Sequence, residues 1–212
     1  ALWVAHRNRD GPAAPQSPLV ATDGLTVFYG PGFDKLPLPQ QTGLVAHEVL
    51  HIALRHPQRL ADLQQRLGDV DLQLFTLCAD AIVNSALGHL AWLQLPEGAV
   101  RLEQLLSAAL GGSFQPEAAL LEWDLERLYD TIDDRRVPNR GDGKDEQGQR
   151  GRGDGPRAAQ VRALCAEAPL DLLPTPGGTG SDPEDQAEQA RAWSERLLRA
   201  HTGDGEHSML RT

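Results

Sequence analysis

The segment 44–59, LVAHEVLHIALRHPQR, puts two imidazoles and a carboxylate inside a run that is otherwise apolar. Leu44, Val45, Val49, Ile52 and Ala53 recur at steps of three and four, the spacing of a helix with one buried face. Residues four apart lie on the same side of a helix, so His47 and His51 project together. Glu48 is turned about 100° around the axis from His47. An unpaired carboxylate is costly to bury. Whatever this helix packs against must therefore satisfy three polar side chains at once.

Two arrangements do so. The first is a set of interior histidines held by hydrogen bonds, with Glu48 paired to a cation. The second is a metal ion shared by the imidazoles of His47 and His51, with Glu48 facing a water beside it. The second is the His-Glu-x-x-His arrangement of zinc peptidases. There the zinc polarises a peptide carbonyl and Glu48 acts as general base. The motif's position inside an amphipathic helix, rather than a polar loop, favours the metal.

A catalytic zinc takes three protein ligands and keeps one position open, so a third ligand is needed. His56 lies about 180° around the helix from His47 and is followed by Pro57, which breaks or kinks the helix. It reads more readily as a cation at the helix C-terminus. Asp80 is the favoured third ligand. It is a lone aspartate in the apolar stretch LFTLCADAIVNSAL, and a buried carboxylate is tolerated when it is paired or ligates a metal. The alternatives for Asp80 are an ion pair with Arg55 or Arg59, or a hydrogen bond with Asn84. Asn84, four residues on, is read as orienting Asp80 or contacting a substrate backbone. His6, His201 and His207 read as surface residues.

The chain reads as α+β and mostly helical. A strand over 2–6 and a hairpin around Asp23-Gly24 make a small N-terminal sheet, whose LTVFYG strand is expected at an edge able to pair with an extended peptide. Helices follow over 41–56, 57–68, 71–93, 101–110 and 116–132. Residues 1–132 form the core. Residues 133–182 are glycine-rich and charged, and read as a flexible linker or insertion carrying a short helix in VRALCAEAPLDLLP. Residues 183–212 form a C-terminal helix that docks through Trp193, Leu197 and Leu198.

The net charge of −10 argues against nucleic acid and against anionic membrane surfaces. No apolar run is long enough to span a bilayer, and the N-terminus lacks a secretory pattern. Cys78 and Cys165 read as free thiols in a reducing compartment, which places the chain in the cytoplasm.

The set ATDGLTVFYGPGF, HEVLHIALRHPQR and CADAIVNSAL, with WDLERLYDTI and ARAWSERLLRAH further on, resembles a bacterial metallopeptidase domain. That domain precedes a von Willebrand factor A-like domain, in proteins associated with MoxR-type AAA+ ATPases. The resemblance spans most of the chain outside 133–180. It implies a zincin-like fold, a zinc site of His47, His51 and Asp80, a peptide or protein substrate, and an ATPase partner. The alternative it leaves open is a catalytically silent zinc-containing module in an ATPase-linked assembly.

Overall fold

The computed structural model describes residues 5–8, 18–96, 98–136, 155–166, 168 and 170–173. The glycine-rich stretch 137–154 and the helix expected over 183–212 lie outside the described residues. Three strands, β1 (Ala5–Asn8), β2 (Val20–Thr22) and β3 (Thr26–Tyr29), form a sheet in the order β1-β3-β2. β1 runs parallel to β3, and β2 antiparallel, with Val20 opposite Tyr29. The hairpin turn falls at Asp23-Gly24, as its sequence predicts. Asp23 Oδ1 accepts from the backbone N–H groups of Leu25 and Thr26 at 2.9 and 2.8 Å, the Asx-type bond that favours this residue in turns.

The expectation that LTVFYG supplies a free edge is not met. β3 is the central strand, hydrogen-bonded on both sides. The outer edge of β2 is also occupied: Thr22 bridges Leu172, with Thr22 N–H donating to Asp171 O and Leu173 N–H donating to Thr22 O.

Among the described residues seven α-helices follow: α1 (Leu38–Ala53), α2 (His56–Leu67), α3 (Leu72–Leu87), α4 (Leu102–Leu110), α5 (Pro116–Glu122), α6 (Leu125–Ile132) and α7 (Pro156–Leu164). α3 is shorter than the 71–93 expected, because the chain turns back at Gly88 to cross α1. The helix expected over 116–132 is two. It breaks at Trp123, and Asp124 restarts it by accepting from Arg127 N–H, the usual N-cap bond. The helix placed late in 133–182 begins at Pro156 and ends at Leu164. Residues 170–173 beyond it are extended rather than helical, held to Thr22 by the bridge above.

The larger apolar cluster centres on α3, where Leu74, Phe75, Leu77 and Cys78 meet Leu105 and Leu106 of α4, Leu128 of α6 and Val161 of α7. A smaller one joins Val20 and Val27 of the hairpin to Ile52 of α1. Cys78 and Cys165 are free and buried. Among the described residues no helix is long and apolar enough to cross a membrane.

Gly43 lies where α1 passes under the 90–96 turn. A Cβ there would lie 2.1 Å from Gln94 O, and that atom is backbone that cannot swing aside. Gly43→Ala should therefore destabilise the fold by about 1–3 kcal/mol through overpacking, despite alanine's better helix propensity. Denaturant unfolding checks this, and an unchanged midpoint would contradict it.

Candidate metal centre

α1 carries His47, Glu48 and His51 on its inner side, and all three are buried. The i, i+4 pair behaves as its spacing requires: His47 Nε2 and His51 Nε2 face each other at 2.8 Å. Asp80 reaches the same point from α3, with its Oδ1 3.4 Å from His51 Nε2 and 3.8 Å from His47 Nε2. Two of the alternatives weighed for Asp80, Arg59 and Asn84, have other partners. Arg59 is bound by both carboxylate oxygens of Glu126, and Asn84 donates from Nδ2 to Val100 O at 3.0 Å.

A fourth group, Asp171, was not among the residues singled out from the sequence. Its Oδ2 lies 3.2 Å from His47 Nε2. The backbone bridge between Thr22 and residues 171–173 holds it there. His47, His51, Asp80 and Asp171 each offer one donor atom, and these four atoms lie within 4.8 Å of one another. The signal that found Asp80 would have found Asp171: a lone acid in an apolar run, here PLDLLP.

His56 lies outside the four-residue group and is not an exposed C-terminal cation. α1 ends at Ala53, Arg55 takes a left-handed conformation with φ 58°, and the chain restarts as α2 at His56. The turn folds His56 back onto His51, and the two Nδ1 atoms lie 2.9 Å apart. Both rings are fully buried. If His51 donates this Nδ1 proton to His56, its Nε2 lone pair is left free for a metal, the orientation that such partners impose on ligating imidazoles.

Burial would lower His47, but hydrogen bonds to Asp171 and Asp80, and their charges, hold it well above its ordinary value. Burial, reinforced by the His47 charge, lowers His51 to about 3. Burial and the His51 ring lower His56 to about 2. Glu48 is pushed well up by burial and then by Asp171 and Asp80, with His47 opposing. Burial raises Asp80, with the nearby His47 opposing.

Glu48 Oε2, Asp80 Oδ1 and Asp171 Oδ1 are buried with no hydrogen-bond partner. Three orphaned carboxylate oxygens around two facing imidazoles are a costly arrangement, and one divalent cation among them would relieve it. The residues therefore fit a metal ion. Two imidazoles with two carboxylates suit a first-row divalent metal such as zinc.

His47, Asp80, Asp171 and Glu48 line one cavity of about 510 Å³, with Leu44, Leu77 and Val100 among its walls, and His51 lies buried behind it. Beside it, Tyr29 is raised by burial and by the Glu48 charge, and its hydroxyl meets His6 Nδ1 at 2.6 Å. No curated protein and no solved structure matches the chain significantly. The family model described as "Putative metallopeptidase domain" matches residues 1–211. The chain belongs to that family.

Proposed function

We propose that the protein is a zinc-dependent metallopeptidase of zincin-like layout, in which His47, His51 and Asp80 hold the metal and Glu48 is the general base. The observation that carries this reading is Glu48 itself. It is 1% exposed, opens onto the same cavity as the metal group, and has an oxygen with no protein partner. A purely structural site needs no such carboxylate.

Zinc, when bound, supplies a Lewis acid that polarises the scissile carbonyl and lowers the pKa of a bound water. Glu48 Oε2 takes the proton of the attacking water and passes it to the departing amine nitrogen. His56 holds the His51 ring in place. The apolar walls exclude bulk water, which strengthens each of these interactions.

Asp80 is preferred over Asp171 as third ligand because it lies near both imidazole nitrogens. It also stands on a helix buried along most of its length. Sites built on rigid elements hold their geometry better than sites on connecting segments. Asp171 then supports the site from beside His47.

Asp171 also favours a second reading. Four protein ligands close a zinc site, and a closed centre suits a catalytically silent module within an assembly driven by a MoxR-type ATPase.

The reading is tested by metal uptake. Ligating side chains bind a metal in their deprotonated form, and His47 and Asp80 are both raised from their ordinary values. A metal ion must displace their protons, so binding tightens as pH rises. Calorimetric titration with zinc near neutral pH, in buffers of different ionisation enthalpy, should report release of about one proton or more. Cleavage of a generic peptide should appear with zinc and vanish with a chelator. Stoichiometric zinc without any cleavage would favour the silent module, and no uptake would end both readings.

A further inference from the structure

Asn84 stands one helical turn beyond Asp80 on α3 and is 5% exposed. Its amide orientation is settled by chemistry. Nδ2 donates to the carbonyl of Val100, and a carbonyl cannot receive the amide oxygen instead. Oδ1 therefore faces the other way, buried and without a hydrogen-bond partner, and Asn84 lines the cavity that holds the metal group. A buried carbonyl oxygen without a donor is destabilising, so a ligand N–H is the missing complement.

The rest of the cavity says what kind of ligand. Leu44, Leu77, Ala99, Val100 and Leu164 form its walls, and among the described residues neither lysine nor arginine lines it. An acidic side chain would meet no counter-charge there and would sit near Glu48 and Asp171.

We infer that this cavity is a subsite for an apolar residue of an extended peptide, and that Asn84 Oδ1 accepts the backbone N–H of that residue. The inference rests on reading the metal centre as one that hydrolyses peptides. It adds which substrates are chosen and which side chain registers them. Apolar contacts select the side chain, and the single polar contact fixes the backbone, the division of labour usual in ligand pockets.

Binding to the zinc-loaded, full-length Glu48→Gln variant tests it without turnover. The probes are end-blocked alanine peptides carrying Leu, Phe, Lys or Asp at one position, and an analogue of the Leu peptide whose Leu N–H is replaced by an ester oxygen. Leu and Phe should bind about a hundredfold more tightly than Asp, because burying an unpaired charge is the costlier event. The ester should bind about tenfold more weakly than the amide, and this penalty should disappear in Asn84→Leu. Zinc content should be the same in both backgrounds.

Leu164 is exposed at the rim, so Leu164→Lys tests the walls without disturbing the core. It should shift preference toward Asp by about tenfold. Equal affinities for Leu and Asp, an ester penalty that survives in Asn84→Leu, or no binding of any probe would each overturn the subsite. Failure of the hydrolase reading looks different. Wild type would leave the Leu peptide intact while the Leu preference and the ester penalty persisted. Cleavage by wild type without side-chain preference would remove the subsite and leave the hydrolase.

Discussion

Glu48→Gln should retain zinc and lose about 10²–10⁴-fold in peptide hydrolysis, the range that one general base contributes. The substitution keeps the shape of the side chain and removes its ability to take a proton. It also removes a negative charge from a buried cluster that holds Asp80 and Asp171, the same two acids that push Glu48 upward. The variant should therefore be at least as stable as wild type without metal. Activity and zinc content, measured together on one preparation, give the result. Loss of both would place Glu48 among the groups that hold the ion, and unchanged turnover would remove it from the mechanism.

The second large effect separates the two aspartates. Asp80→Ala should abolish stoichiometric zinc at micromolar protein. Asp171→Ala should retain it with affinity weakened about 10–100-fold, the cost of losing a group that supports a ligand rather than serving as one. The asymmetry follows from position. Asp80 Oδ1 faces both His47 and His51, whereas the close contact of Asp171 is with His47. Competition titrations with a chelator of known affinity measure both variants. Equal loss of zinc in the two would mean a closed, four-ligand centre and would favour the silent module.

How legible each part was in the sequence depends on how far its cause reaches along the chain. His47 and His51 are paired by a helical repeat contained within five residues, so their juxtaposition could be read directly. Asp80 was visible as an acid without a reason in an apolar helix. Asp171 carries the same oddity, but its place depends on a bridge to Thr22, across most of the chain. A local window sees only LDLL and reads a helix. His56 was misjudged because the deciding feature is a backbone angle at Arg55, where no glycine announces a left-handed residue. The centrality of β3 was hidden for a similar reason: strand order is set by which partners return to the sheet, and β1 and residues 171–173 lie on either side of the hairpin in sequence. The break at Trp123-Asp124 was the one local miss, since aspartate followed by an acidic first turn is a start signal.

The bridge between Thr22 and Leu172 has one more consequence. The hairpin leaves the ribosome well before the segment that carries Asp171. A nascent chain can present both imidazoles and Asp80 long before Asp171 arrives to register against the sheet. The full cluster of donors thus comes together only after the chain has been made through residue 173.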